Sequence, residues 1–322
     1  MKQPLESASM KYLLPVLVAL SLLCVPAFAD TIPEQLQQVS VTIKAGNAQG
    51  SGNIVTRKIG DDTVSFIWTA AHVVADLRTT RTIITSAGST KTLVAYKDAE
   101  IVQERQQDGR RVGEVKYDCK IVKVSDADYG EDLCLMMVRC KNAYPLRTST
   151  KFHLEADYIP PIGVELAHCG SLLGQFGANS YTTGVLSQTG RTLPMKGANV
   201  KVFDQVTSVA FPGSSGGGMY LKTNGVYIGM LTQGVQRLQG FNFIVPIRRI
   251  HKFAKDSKIE WALDPEATMP TLEEVEKIPV EDAAVIGAGL GGENMEPCKT
   301  KTAKGFDFTG VRNWMDLFGI KF

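Results

Sequence analysis

A chain of 322 residues, 44% hydrophobic and 21% charged, can bury a sizeable core, which excludes a disordered polypeptide. Its formal net charge of +2 excludes an electrostatic grip on nucleic acid, which needs a concentrated basic stripe. The densest basic stretch, Arg105, Arg110 and Arg111, is interrupted by Glu104, Asp108 and Glu114 and reads as a solvated loop.

Residues 1–29 read as a secretory signal peptide: Lys11, the apolar run Leu13 to Val25, then Ala27-Phe28-Ala29 as a small-x-small cleavage site. A start at Met10 would give the more usual layout. The mature chain then begins at Asp30 and is exported, to the periplasm or beyond the cell. The apolar run is short for a membrane span and is followed by a mostly polar stretch, so no stable membrane insertion is expected once it is removed. Cys24 lacks the small preceding residue of a lipidation site.

From Val39 onward the chain is a succession of short β-type runs: Val39 to Ile43, Val64 to Trp68, Arg81 to Thr85, Cys119 to Val124 and Leu133 to Val138. After Pro160-Pro161 a second set follows: Gly163 to His168, Tyr181 to Ser187, Val200 to Thr207, Gly217 to Leu221, Val226 to Leu231 and Phe241 to Val245. Two groups of about six strands predict an all-β fold of two antiparallel barrels, over about 38–145 and 160–247. A short helix over 247–255 closes the domain 30–255. Residues 256–322, broken by Pro270, Pro279 and the glycines of Gly287 to Gly292, read as a linker and a loosely structured tail whose end regains apolar weight at Trp314, Leu317 and Phe318.

Five cysteines remain after the signal: Cys119, Cys134, Cys140, Cys169 and Cys298. The export route permits disulfides. The β-type runs carrying Cys119 and Cys140 flank one turn, so a cross-strand Cys119–Cys140 bridge is expected.

Three segments carry the chemistry. Alone, Gly213 to Gly218 would be a flexible linker, but it lies between β-type runs, and acyl transfer needs glycines at such a place. There the N–H groups of Gly213 and Ser215 can converge on a developing oxyanion. Ser215 is then the nucleophile, with Ser214 its competitor. A serine hydroxyl is a weak nucleophile at neutral pH and needs an imidazole base held by a carboxylate. Of His72, His153, His168 and His251, only His72 follows a buried strand with small neighbours that leave its ring accessible. Among Asp126, Asp128, Glu131 and Asp132, the last directly precedes the apolar run Leu133 to Val138, at a barrel rim, and is assigned as the carboxylate.

These blocks resemble those of trypsin-like serine peptidases with the chymotrypsin fold, closest to the HtrA-type bacterial members. The resemblance is carried by Gly50-Ser51-Gly52-Asn53-Ile54-Val55, Trp68-Thr69-Ala70-Ala71-His72-Val73-Val74, Glu131-Asp132-Leu133-Cys134-Leu135, Tyr181 to Ser187 and Phe211-Pro212-Gly213-Ser214-Ser215-Gly216-Gly217. It spans roughly Val39 to Phe253. It implies two six-stranded barrels with the active site between them, and a serine endopeptidase working through an acyl-enzyme. Departures are visible: Ser214 stands where digestive members carry an activating aspartate, Ala71 replaces the usual cysteine, and the stretch between His72 and Asp132 is longer than expected. After Phe253 there is no run of strands of the PDZ type.

By the same resemblance, Val209, Ala210 and Phe211, the strand Met230-Leu231-Thr232, and the segment near Phe243 wall the primary pocket. None is acidic, so a lysine or arginine would bury an unpaired charge there. The expected preference is for aliphatic, uncharged residues in polypeptide substrates, whose extended backbone would pair along Thr232-Gln233-Gly234. No metal or organic cofactor is suggested, since histidines and cysteines lack ligand-like spacing. Two rivals remain: an α/β-hydrolase reading of the G-x-S-x-G pattern Gly213 to Gly217, with His251 as base, and a non-catalytic scaffold that keeps the barrels.

Overall fold

The computed structural model describes residues 30–281, apart from 85, 87, 108–109, 144–147, 195–199 and 235–239. The signal segment 1–29, Cys298 and the apolar C-terminal end lie outside the described residues.

A short helix α1 (Ile32–Gln38) leads into β1 (Ser40–Ala45), β2 (Ala48–Ile59) and β3 (Asp62–Thr69), then a 3-10 helix (Ala71–Leu77). β4 (Arg78–Ile84), β5 (Thr90–Tyr96), β6 (Ala99–Gln107), β7 (Arg110–Ser125) and β8 (Leu133–Val138) follow. The order β1-β2-β3-β8-β7-β6 closes into a barrel. The second half comprises β9 (Glu165–Leu172), β10 (Gly177–Pro194), β11 (Val200–Val206), β12 (Gly218–Leu221), β13 (Tyr227–Gly234) and β14 (Asn242–Pro246). It closes as β10-β11-β14-β13-β12-β9. The two six-stranded barrels are those the sequence leads one to expect. Every ladder between named strands is antiparallel, so the parallel sheet of an α/β-hydrolase is ruled out.

Helix α2 (Ile247–Asp256) closes the second barrel and turns its apolar side, Ile247, Ile250, Phe253 and Ala254, inward. The chain does not become loose after it. Residues 257–281, with α3 (Leu272–Glu276), cross to the outer wall of the first barrel. Trp261 packs edge-on against Phe66, ring centroids 4.8 Å apart, and Phe253 meets Trp68. Trp68 Nε1 donates to the Ala262 carbonyl at 2.9 Å. Val124 N–H donates to the Val280 carbonyl at 2.8 Å. Glu281 accepts Arg78 through both carboxylate oxygens, at 2.6 and 3.0 Å, and the Tyr96 hydroxyl at 2.6 Å. This strap explains why β3 is buried on both faces from Val64 to Thr69, with no apolar–polar alternation. Each large side chain so covered contributes roughly 1.5–3 kcal/mol.

Three expectations are corrected. The run Arg81 to Thr85 is not a barrel strand: β4 pairs only with β5 in a separate ribbon, with Ile84 78% exposed. The sixth barrel strand is instead β6, whose polar residues hid it. Glu104 to Gln107 and Arg110 to Glu114 continue the β6–β7 ladder, with Glu104 opposite Glu114 and Arg105 opposite Gly113. Arg111 bonds Glu104 across the strands at 2.8 Å and Glu114 along its own strand at 2.9 Å, so the charges of this stretch pair with one another. The Cys119–Cys140 bridge is absent. A bulge between Ile121 and Lys123 sets a register in which Cys119 faces Val138, Cys140 lies exposed beyond the strand, and all four described cysteines are free thiols.

Candidate active site

β3 delivers the chain to the 3-10 helix, where Ala71, Val73, Val74 and Leu77 are buried. His72 points the other way, its side chain 29% exposed. Across from it, the turn after β7 is folded by its own carboxylates. Asp126 Oδ1 accepts the N–H groups of Asp128 and Tyr129 at 2.8 and 2.9 Å, and Glu131 N–H donates to Ser125 Oγ at 2.7 Å. Asp132 ends the turn in the left-handed region, φ +56°, a conformation that aspartate tolerates better than most residues.

That backbone points the Asp132 carboxylate at His72. Oδ1 accepts the His72 backbone N–H at 3.0 Å, and His72 Nδ1 lies 3.1 and 3.0 Å from Oδ1 and Oδ2. A carboxylate accepts only, so Nδ1 carries the proton and Nε2 is left as the basic nitrogen. Burial opposes protonation of the ring, but the Asp132 charge and hydrogen bond outweigh it and hold the His72 pKa above its ordinary value. Burial would raise the Asp132 pKa. The facing imidazole, the Thr232 hydroxyl and the His72 N–H reverse that and hold it below the ordinary range.

Thr232 has a partner that the sequence did not suggest. Besides standing where the pocket wall is expected, it is only 4% exposed and its hydroxyl donates to Asp132 Oδ2. The reason is a bulge in β13: Leu231 faces Ile244, Gln233 faces Phe243, and Thr232 is the extra residue between them. A bulge re-aims the side chain it carries.

Ser215 sits in the turn before β12. Gly213 and Gly216 there have φ of +95° and +86°. A Cβ on Gly216 would lie 2.2 Å from the Ser51 carbonyl oxygen, so both backbone shape and space demand glycine. Ser215 Oγ donates to the Thr232 carbonyl at 3.2 Å and makes no hydrogen bond to His72 among the described residues. Its competitor Ser214 is 1% exposed and accepts the Phe211 N–H on its hydroxyl at 3.1 Å. The N–H groups of Ser214, Gly216 and Gly217 are engaged by Phe211, Leu231 and Ser214 carbonyls. Those of Gly213 and Ser215 meet no acceptor among the described residues.

The serine turn is docked on the first barrel. Ser51 N–H donates to the Ser215 carbonyl at 2.8 Å, Ser51 Oγ to the Gly213 carbonyl at 2.7 Å, and Asn53 Nδ2 to the Gly216 carbonyl at 2.8 Å. On the other side of Asp132, Glu131 is held by Lys201 at 2.8 Å and Arg249 at 2.7 Å. These partners lie far apart along the chain and leave no signal in a single sequence.

Of the other expected wall residues, Val209 and Ala210 are half-buried and Phe211 is 39% exposed. Leu231 and Ala210 pack in the interior of the second barrel. Met230 turns away into the larger core. The remaining histidines have structural partners: burial pushes the His168 pKa down to about 4 beside the Gly218 carbonyl, His153 stacks on Tyr158, and His251 Nε2 bonds the His153 carbonyl at 2.7 Å. Among the described residues no group of three or more His, Cys, Asp or Glu could hold a metal, and no helix is long and apolar enough to cross a membrane.

The two closed six-stranded barrels are consistent with the chymotrypsin-type double barrel that the sequence resemblance implies. Among solved structures the chain is similar to the inactive form of the Ser343Ala mutant of Rv3671c from M. tuberculosis H37Rv, at 14% identity and TM-score 0.49 over 70% of this chain and 89% of that one. It is also similar to the serine endoprotease from Yersinia pestis, at 17% identity and TM-score 0.48 over 72% and 68%. Deg5 aligns at 20% identity and TM-score 0.47 over 72% and 94%. No protein-family model matches the chain, and no curated protein matches its sequence.

Proposed function

We propose that the protein is an exported serine endopeptidase that hydrolyses peptide bonds through an acyl-enzyme, with Ser215 as nucleophile, His72 as general base and acid, and Asp132 as the carboxylate that orients it. The observation that carries this reading is the double use of Thr232. Its hydroxyl serves Asp132 and its carbonyl receives Ser215 Oγ, so one residue ties the base pair of the first barrel to the hydroxyl of the second.

Catalysis starts with Ser215 Oγ leaving the Thr232 carbonyl and turning to His72 Nε2. As Oγ attacks the scissile carbonyl carbon, its proton passes to Nε2, and the imidazolium that forms is stabilised by Asp132. The negative charge moves to the substrate oxygen, where the free N–H groups of Gly213 and Ser215 can receive it. One such donor is worth on the order of 10²–10³ in kcat. His72 then gives the proton to the leaving amine, and water repeats the sequence on the acyl-enzyme. The substrates are unfolded or flexible polypeptides with uncharged residues before the scissile bond, since Val209, Ala210, Phe211 and Leu231 offer no countercharge.

That Ser215 and His72 share no hydrogen bond among the described residues is the observation that favours the second reading, a double-barrel binding protein without turnover. A fluorophosphonate probe separates the two. Covalent labelling that disappears in Ser215→Ala supports the peptidase; an unlabelled, folded wild-type chain supports the scaffold.

A further inference from the structure

We infer that Asn242 plugs the primary specificity pocket, so that cleavage follows small side chains, alanine or serine and at most valine. The inference rests on the peptidase reading above and narrows its aliphatic preference to a size limit.

On the peptidase reading, the residue before the scissile bond places its side chain between two walls. One is the segment Ser208 to Phe211 that leads into the serine turn. The other is β13 from Thr232 to Gly234. Asn242 stands on β14 beside both. It pairs with Gly234 on one side and with Val206 on the other, and by strand alternation it shares the inner face of the barrel with Ile244, which packs against Leu231 and Met219. Its side chain therefore enters the barrel end from below and not from solvent, and it is only 4% exposed.

The amide spans the gap. Nδ2 donates to the Ser208 carbonyl at 2.6 Å, at the root of the first wall. Oδ1 occupies the space in front of Gly234, within 2.3 Å of where a Cβ on that residue would stand. Tied to Ser208 through Nδ2 in a buried place, the amide cannot swing aside without leaving the Ser208 carbonyl unpaired. A phenylalanine, leucine or lysine side chain would need the volume it fills. Alanine would not.

The test uses peptidyl diphenyl phosphonates, which modify the nucleophilic serine and differ only in the residue mimicking the one before the scissile bond. Ser215 of the wild-type chain should be modified by the alanyl probe more than about tenfold faster than by the phenylalanyl probe, the scale on which a pocket rejects excess bulk. In Asn242→Gly, and in Asn242→Ala should the glycine variant not fold, the ratio should fall toward one or invert. A wild-type chain that takes the phenylalanyl probe as fast as the alanyl one overturns the plug, as does a folded variant with an unchanged ratio. An alkyl fluorophosphonate needs no pocket and reports the nucleophile alone. Labelling by it without the alanyl preference refutes only the plug, and no labelling by any probe refutes the peptidase reading and the plug with it.

Discussion

Arg249 and Glu131 belong to opposite halves of the molecule and meet twice: Arg249 Nε donates to Glu131 Oε2 at 2.7 Å and Nη2 donates to the Glu131 backbone carbonyl at 3.2 Å. The second bond fixes the peptide that precedes Asp132, whose left-handed backbone sets the direction of its carboxylate. Arg249 also stacks over Phe203, 4.7 Å from the ring centroid, so its guanidinium is held in plane by the second barrel.

Arg249→Ala should therefore lower kcat more than it raises KM, and cost about 1–3 kcal/mol of stability in urea unfolding, because the half-buried Glu131 keeps only Lys201. Arg249→Lys should recover part of the stability but little of the activity, since an ammonium cannot make both bonds at once. Equal loss in kcat and KM for the two variants would contradict the orienting role. Burial raises the Glu131 pKa, but Arg249 and Lys201 outweigh it and depress it. The folded pKa lies below the unfolded one, so the stability from this clasp is present above the ordinary carboxylate range and disappears as pH falls through the folded value.

His72 behaves in the opposite sense. Its folded pKa is raised above 6.5 by Asp132 against the effect of burial, so the protonated ring adds stability that is complete below the unfolded pKa and is lost as pH rises through the folded one. On the peptidase reading, catalysis needs the neutral ring. The acid limb of kcat/KM should have its midpoint above 6.5, and in Asp132→Asn it should move down while kcat drops by about 10⁴. A wild-type limb centred below 6.5 would remove Asp132 from this role.

Thr232→Val keeps the size of the side chain and the backbone carbonyl that receives Ser215, and removes only the hydroxyl. The buried Asp132 then loses a donor. A cost of about 1–3 kcal/mol in stability and a fall of about tenfold or more in kcat are expected from unfolding curves and steady-state kinetics. An unchanged kcat would show that the hydroxyl is dispensable.

Trp261 tests the strap. Trp261→Ala should cost about 3–5 kcal/mol, through the lost contact with Phe66 and the cavity left behind. Trp261→Phe should cost much less, because the indole N–H, buried among these groups, makes no hydrogen bond. Thermal unfolding of the two variants separates packing from polar loss.

Among the described thiols, alkylation of the native protein should modify Cys140 alone, since Cys119, Cys134 and Cys169 are buried and burial pushes their thiol pKa values well up. Mass mapping after brief iodoacetamide treatment checks this.

The double barrel and the pairing of His72 with Asp132 were legible beforehand because their signals are local. His72, Asp132 and Ser215 each sit in a short block with small or glycine neighbours, and the barrel strands alternate or run apolar. What was missed is non-local. The Thr232 hydroxyl reaches Asp132 through a bulge, Arg81 to Thr85 reads as a strand without showing that its sheet is separate from the barrel, and the disulfide failed on a register that no residue near Cys140 announces. The strap hid because its anchors, Trp261, Val275 and Glu281, are spaced among prolines and charges that read as linker.

Synthesis runs from the N-terminus at roughly 5–20 residues per second, and the half carrying His72 is made first. Its outer wall, however, is supplied by residues 257–281, with Glu281 fastened to Arg78 just beyond the histidine helix. The wall over the histidine half is thus laid only once residues 257–281 have been made, so a fragment ending before them would carry its histidine without the brace that finishes it.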